Sequence, residues 1–254
     1  MNRLVITMGD PCGVGPEIIV KFFDGIYKVE DKRLFLVVVG SKSVLEYYKK
    51  KLRIDLEIVE ITKAHIVDGK LENGKLHLIN IDTDIDKLEF GKHTELGGAL
   101  SIKYLDKAIE LCHGKYVDGI VTCPISKDSI NMAGFKYSGH TEYLAEKSKT
   151  EDFAMVLKGK KVVVLLNSTH VSLKEAINRV TKESVLNKIR LAQKAKKELG
   201  LTGSIAVAGL NPHNGENGLF GTEEIEIIAP AVEEAQKEGI DCEGPIVPDS
   251  LFVK

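Results

Sequence analysis

The sequence predicts an α/β protein, because β-type apolar runs alternate with segments of helical period along its 254 residues. Hydrophobic residues make up 43% of the chain and charged residues 28%, which is typical of a globular protein and excludes disorder as the main state. The length suits two lobes of roughly 100–150 residues each. We place the predicted boundary after Pro124, which gives an N-terminal α/β lobe over 1–125 and a second α/β lobe over 126–254.

The first half of the chain contains five apolar runs of strand length. These predicted strands cover 4–8, 34–39, 56–61, 76–81 and 119–123. Helical spacing predicts helices over 16–23, 42–51 and 97–111, with Pro16 in a first turn, where its missing N–H costs nothing, and Ser41 as a cap. The Asn73-Gly74 pair could close a hairpin between the third and fourth strands.

The second half repeats this alternation. Strands are predicted over 162–166 and 204–208, and helices over 182–199 and 222–238, the latter with acidic residues in its first turn. Strands that alternate with helices predict parallel pairing, with the helices on the faces of the sheet.

Charge and hydropathy exclude several classes of protein. Lys and Arg total 35 and Asp and Glu total 37, so the formal net charge is −2, which argues against a nucleic-acid partner. No apolar run approaches the ~20 residues of a membrane span, so no membrane partner is expected. The four cysteines are far apart, which predicts reduced thiols and a cytoplasmic location.

Ligands of open α/β sheets bind beyond the carboxyl ends of the strands, so the loops there are the candidate sites. The first is a glycine-rich loop over 8–17 that follows the first strand and opens a helix. It is neither a P-loop nor a dinucleotide fingerprint. Its glycines suit either close approach to an anion or a tight strand-to-helix turn, and Asp10 is a polar group without a settled role.

His140 and Thr141 follow Gly139 at the predicted start of another helix. Donors at a helix N-terminus suit a phosphate or a carboxylate, although Thr141 could also be a simple cap and His140 a surface residue. His170 and His213 each follow a predicted strand, and imidazoles at two such edges are candidate ligands of a divalent metal. A catalytic site usually needs a third protein ligand, and no other histidine matches these two in context.

Six segments, in order along the chain, resemble the 4-hydroxythreonine-4-phosphate dehydrogenase (PdxA) family of vitamin B6 biosynthesis. They are residues 6–17 (ITMGDPCGVGPE), 138–142 (SGHTE), 168–170 (STH), 209–213 (GLNPH), 220–225 (FGTEEI) and 244–249 (GPIVPD).

The resemblance implies a two-lobed fold like that of isocitrate and isopropylmalate dehydrogenases, with a cleft between the lobes. It implies a homodimer with the active site at the subunit interface. It also implies oxidation of 4-phosphooxy-L-threonine by NAD or NADP, followed by loss of CO2 from the β-keto acid. By position, His140 and Thr141 would bind the phosphorylated substrate, and His170 and His213 would ligate a divalent metal (Zn, Co or Mg). No catalytic acid or base and no cofactor-binding residue is assigned.

The chain departs from the family pattern after the segment at 248–252, because it ends at Lys254 without the tail that carries a further metal histidine in the family. Two alternatives to the main hypothesis stay open, the first because related substrates share the groups that these motifs contact, and the second because the third histidine is absent. One is a dehydrogenase of another 4-phosphorylated four-carbon hydroxy acid, such as threonate or erythronate 4-phosphate. The other is a catalytically incomplete remnant.

Overall fold

The computed structural model describes residues 2–25, 34–69, 71–72, 74–137 and 139–252, and its internal contacts divide the chain into two compact units, Met1–Lys149 and Thr150–Lys254. The predicted lobe boundary lies about two dozen residues earlier. The first unit extends further because Ile130 and Tyr143, from beyond that boundary, are fully buried against Ile102 and Leu105.

The first unit is built on a parallel sheet of five strands, in the order β3-β4-β2-β1-β5. The strands are β1 (Asn2–Thr7), β2 (Leu34–Gly40), β3 (Ile58–Glu60), β4 (Leu76–Asn80) and β5 (Gly119–Thr122). Central strands of a parallel sheet are covered on both faces and therefore read as continuous apolar runs. The run Leu36–Val39 in β2 is buried throughout, as this rule requires.

Helices connect these strands, and two further helices follow the last strand. They are α1 (Gly15–Gly25), α2 (Lys42–Leu52), α3 (Lys63–Val67), α4 (Glu95–His113), α5 (Lys127–Met132) and α6 (His140–Lys147). Thr94 caps α4 by accepting a hydrogen bond from the Gly97 N–H at 3.0 Å. The next glycine, Gly98, lets α5 approach closely, because a Cβ there would lie 1.9 Å from the carbonyl oxygen of Ser129.

Every strand predicted in the first half is present, but one predicted connection is wrong. β3 and β4 pair in parallel, so no hairpin joins them. Parallel neighbours need a crossover rather than a tight turn, and the segment between them includes helix α3. Asn73, half of the turn signal, lies outside the described residues.

The second unit contains two small sheets. The strands β6 (Val156–Lys158) and β7 (Val163–Leu165) form an antiparallel pair, and β8 (Ile205–Ala208) pairs in parallel with β9 (Cys242–Ile246). The helices are α7 (Leu173–Asn178), α8 (Lys182–Glu198), α9 (Ala229–Lys237) and α10 (Pro248–Leu251). The expectation of parallel pairing throughout the second half is therefore wrong for β7.

The core of the second unit lies between α8 and α9, where Val185, Leu186 and Ile189 pack with Ala231 and Val232. The helix predicted over 222–238 begins differently from an ordinary helix. Residues Glu224–Ile228 form a π-helical turn, and α9 follows directly. No described helix is both long enough and apolar enough to cross a membrane.

Candidate active site

His140 and Thr141 are the first two residues of α6, as the sequence predicts. Gly139 occupies the N-cap position, so Thr141 is not the cap of this helix. The Nε2 atom of His140 is buried and has no hydrogen-bond partner within the described part of the chain. Burial lowers the pKa of the His140 imidazole, because the charged form is poorly solvated there. Burial therefore favours the neutral ring, and Nε2 is a polar atom whose hydrogen-bonding capacity the described part of the chain leaves unused.

His170 lies in the loop between β7 and α7, five residues after the last residue of the strand. Its side chain is exposed, and its backbone is left-handed, with φ at 54°. The apolar run over 162–166 also suggests a buried strand before this histidine, and that expectation is wrong, because Val163 is exposed and Val164 and Leu165 are half-buried. Leu157 on the partner strand is exposed as well, so the two short strands do not form a buried core with each other.

His213 also lies five residues after its strand, β8, and is also exposed. Its backbone N–H donates to Asp249 Oδ2 at 3.3 Å, and its Nδ1 lies 3.5 Å from the same oxygen. A carboxylate beside a ring nitrogen orients an imidazole and favours one tautomer. Asp249 is therefore a candidate site residue that the assignment from sequence omitted, although it ends the last of the six quoted segments.

The backbone around His213 is unusual. Five consecutive residues, His213 to Asn217, have φ between 46° and 73°, and four of them are not glycine. Left-handed backbone costs a non-glycine residue roughly 1–2 kcal/mol. Such conformations persist only where surrounding contacts impose them, and they concentrate at functional sites.

One buried acid, Glu224, accepts three of the hydrogen bonds that hold this loop. Its Oε1 accepts the N–H groups of Leu210 (2.7 Å) and Asn211 (2.6 Å), and its Oε2 accepts Asn211 Nδ2 at 2.9 Å. Burial raises the pKa of the Glu224 carboxyl, but these hydrogen bonds outweigh burial and hold the pKa below its ordinary value. In the sequence, Glu224 stands out only as a member of the quoted segment 220–225.

The glycine-rich loop of the first unit is a tight turn around a second buried acid. Asp10 accepts the Cys12 N–H at 2.9 Å and the Ser129 hydroxyl at 3.1 Å. Gly15 is required by close approach, because a Cβ there would lie 2.1 Å from the carbonyl oxygen of Met8. Each carboxylate oxygen of Asp10 thus accepts a hydrogen bond from the protein itself, which favours the structural interpretation of this loop over the anion site.

The structure brings together His140 with Thr141 on one helix, and His213 with Asp249. His140 and Thr141 belong to the first unit, whereas His170 and His213 lie on separate loops of the second. Two exposed imidazoles suit a first-row divalent ion as part of its ligand set. No three His, Cys, Asp or Glu side chains gather at one metal-sized point within the described ranges.

Comparison with known proteins identifies the family of this chain. Residues 32–254 match the family model described as pyridoxal phosphate biosynthetic protein PdxA. The chain belongs to the PdxA family. A 4-hydroxythreonine-4-phosphate dehydrogenase of a Sulfurihydrogenibium species is 41% identical over 99% of this chain and 76% of that protein. A provisionally named D-threonate 4-phosphate dehydrogenase of Fusobacterium nucleatum is 43% identical over 99% of this chain and 75% of the Fusobacterium protein.

Solved structures of PdxA proteins have the same fold. The crystal structure of 4-hydroxythreonine-4-phosphate dehydrogenase from Klebsiella pneumoniae matches with a TM-score of 0.89 and 33% identity, over 99% of this chain and 76% of that one. The predicted α/β, isocitrate dehydrogenase-like fold class is thereby confirmed. As a member of this dehydrogenase family the chain is an oxidoreductase, and the family implies a nicotinamide cofactor and a metal.

Proposed function

We propose that this PdxA protein oxidises the secondary hydroxyl of 4-phosphooxy-L-threonine with NAD or NADP, giving 2-amino-3-oxo-4-phosphooxybutanoate. That product is a β-keto acid and loses CO2 to give 3-amino-2-oxopropyl phosphate, a step that serves vitamin B6 biosynthesis. The observation that carries the proposal is the 41% identity to a 4-hydroxythreonine-4-phosphate dehydrogenase over 99% of this chain.

The roles of the site residues are part of this proposal. His140 and Thr141 bind the substrate. The Nε2 atom of His140 forms a hydrogen bond to a substrate oxygen, and the first turn of α6 favours the negative charge of that oxygen. His170 and His213 are two ligands of a divalent ion, and Asp249 orients the His213 ring. When bound, such an ion supplies Lewis acidity at the substrate hydroxyl. Zn, Co and Mg all stay candidates.

A second substrate has specific support. The relative with 43% identity carries the name of a D-threonate 4-phosphate dehydrogenase. Threonate and erythronate 4-phosphates share the phosphate, the carboxylate and the secondary hydroxyl with 4-phosphooxy-L-threonine. They differ at C2, where a hydroxyl replaces the amino group.

The deciding experiment is a substrate panel on the purified chain. NADH or NADPH formation is followed with 4-phosphooxy-L-threonine, D-threonate 4-phosphate and D-erythronate 4-phosphate, each with Zn²⁺, Co²⁺ or Mg²⁺. We expect the highest kcat/KM for 4-phosphooxy-L-threonine. Higher kcat/KM for a threonate or erythronate phosphate selects the second candidate, and metal binding without turnover on any substrate selects the incomplete remnant.

Single variants test the residue roles. His140→Asn is expected to raise KM, because it removes a substrate contact. His170→Asn and His213→Asn are expected to abolish metal-dependent turnover. His113→Gln is the matched control, because His113 is exposed at the end of α4 and has no proposed role.

We also propose that the protein is a homodimer with its active site at the subunit interface, as the resemblance implies. Sedimentation equilibrium at micromolar concentration is expected to give twice the chain mass of 27.9 kDa. A monomer that retains full turnover would contradict this. The cytoplasmic location expected from the sequence stays a prediction.

A further inference from the structure

The side chain of Glu224 lies against residues 209–215, the loop that carries His213. Its side chain is buried, at 2% exposure, and it contacts the loop on both sides of the histidine. On the near side a Cβ at Gly209 would lie 3.2 Å from Glu224 Oε1, and on the far side a Cβ at Gly215 would lie 3.1 Å from Oε2. A Cβ at either glycine would meet other atoms first, Asn214 Oδ1 at 2.2 Å from Gly209 and the Gly221 carbonyl oxygen at 2.7 Å from Gly215, so the carboxylate lies close to both glycines without being the group that requires them.

Three hydrogen bonds tie the loop to this carboxylate. The N–H groups of Leu210 and Asn211 and the side-chain amide of Asn211 all donate to it, immediately before Pro212 and His213. Beyond the histidine, the side-chain amide of Asn214 donates to the Pro245 carbonyl oxygen at 2.8 Å. The left-handed turn at His213 is therefore anchored on each side. On the near side Glu224 accepts three hydrogen bonds, and Glu223 also accepts one from the Asn211 side-chain amide.

The chemistry of these donors calls for a carboxylate at this place. Three donors converge on two oxygens, and an ionised carboxylate is an acceptor on both. A glutamine would turn one oxygen into an NH₂ group that faces the Asn211 amide. Burying the charge is costly, and charge-assisted hydrogen bonds of this kind are what offset that cost.

We propose that Glu224 is a positioning residue for His213: its carboxylate holds residues 209–215 in the strained conformation that aims the imidazole at its ligand. This inference rests on the proposed function in so far as that ligand is the divalent metal. Glu224 itself touches neither substrate nor metal in this assignment.

The test compares Glu224→Gln with two matched controls on the same segment. Glu223 is half-buried and accepts the Asn211 side-chain amide at 2.8 Å, while Glu226 is exposed. The first measurement is amide hydrogen exchange by NMR at Leu210 and Asn211 in the metal-free protein. The second is Co²⁺ affinity by calorimetric titration.

For Glu224→Gln we expect faster exchange at both amides and a Co²⁺ affinity about 10- to 100-fold lower, as is typical when a supporting residue of a metal ligand is lost. Glu226→Gln should leave both measurements unchanged. Glu223→Gln should leave the backbone amides protected. If Glu224→Gln does not fold, Glu224→Asp replaces it, because the shorter acid keeps the charge but cannot reach all three donors.

Three results separate this inference from the proposed function. Unchanged exchange at Leu210 and Asn211 overturns the inference, and so does faster exchange with unchanged Co²⁺ affinity. If the wild-type protein binds no Co²⁺, the metal role of the proposed function fails. The His213 Cε1–H resonance of the metal-free protein then decides: a shift in Glu224→Gln that is absent in Glu226→Gln supports positioning, and no shift overturns it.

Discussion

His170 and His213 share a backbone conformation that few residues with side chains adopt. Eight described non-glycine residues have positive φ. Three of them, Arg53, Lys115 and Lys149, lie at the C-terminal ends of helices, where a left-handed residue is common. The other five are His170 and four residues of the His213 turn. Backbone strain away from helix ends therefore concentrates at the two predicted metal ligands, which supports a functional role for both.

The buried carboxylate of Asp10 is expected to stabilise the fold through its hydrogen bonds. Asp10→Ala removes the acceptor of the Cys12 N–H and of the Ser129 hydroxyl, both in a buried setting. We expect a loss of about 1–3 kcal/mol in the free energy of unfolding, measured by urea denaturation. Asp128→Ala, at an exposed side chain, is the control and should change stability by less than about 0.5 kcal/mol. Equal losses in the two variants would contradict the structural role of Asp10.

We expect His77 to make the stability of the first unit depend on pH. Its ring is 3% exposed, and Nε2 accepts the Glu72 N–H at 3.0 Å. Burial lowers the pKa of the imidazole, so the unfolded chain binds the proton more readily than the folded one. The stabilising contribution is therefore complete above the unfolded pKa of about 6.5 and is lost as pH falls from there toward the folded pKa.

The variant His77→Gln tests this dependence, because glutamine can still accept the Glu72 N–H but does not titrate. The free energy of unfolding, measured by urea denaturation, should fall less between about pH 7.5 and pH 5 in the variant than in the wild type. Some dependence remains in the variant, because burial also lowers the pKa of His140. Identical pH slopes in the two proteins would show that His77 is not the titrating group.

At the scale of elements, the strained part of the molecule is the left-handed turn His213–Asn217. Glu216 lies in this turn with φ at 46°, and its side chain is exposed. Substitutions at this position therefore test the backbone conformation without removing a buried side chain. Glu216→Gly should give a protein about 1 kcal/mol more stable than Glu216→Ala, because only alanine pays for a Cβ in this region. Urea denaturation of both variants measures the difference.

An ordinary helix position provides the opposite control for this comparison. Lys194 is exposed within α8, where glycine is expected to be about 1 kcal/mol less stable than alanine. A preference for alanine at both positions would mean that the turn at 216 is not left-handed in solution.

At the scale of the whole molecule, the two compact units divide at Lys149 rather than near Pro124. The segment between these points carries α5 and α6, whose Ile130 and Tyr143 cover one side of α4. The hydroxyl of Tyr143 also donates to Asp106 on α4. The residues after Pro124 therefore complete the core of the first unit.

Fragments of the chain test this division. A fragment over residues 1–149 should unfold cooperatively in urea and give a dispersed NMR spectrum. A fragment over 1–125 should be less stable or fail to fold, because it exposes Ile102 and Leu105, which are at most 2% exposed in the intact unit. Equal stability of the two fragments would place the boundary where the sequence predicted it.

The sequence by itself determined the α/β class, the strands of the first sheet, the long helices and the family. Apolar periodicity and short motifs are local properties, so they are legible without coordinates. It also located His140, Thr141, His170 and His213 by their context. That His140 and Thr141 open α6 is confirmed, while the functional roles of all four residues stay predictions.

The tertiary structure decided the features that depend on partners distant in the chain. Parallel pairing of β3 with β4, antiparallel pairing of β6 with β7 and the placing of α5 and α6 in the first unit all depend on contacts that no local pattern encodes. The role of Glu224 is of the same kind, because an acid in an acidic segment becomes a buried anchor only when folding brings Leu210 and Asn211 to it. The left-handed turn at His213 follows for the same reason, since its strain is sustained by those nonlocal hydrogen bonds.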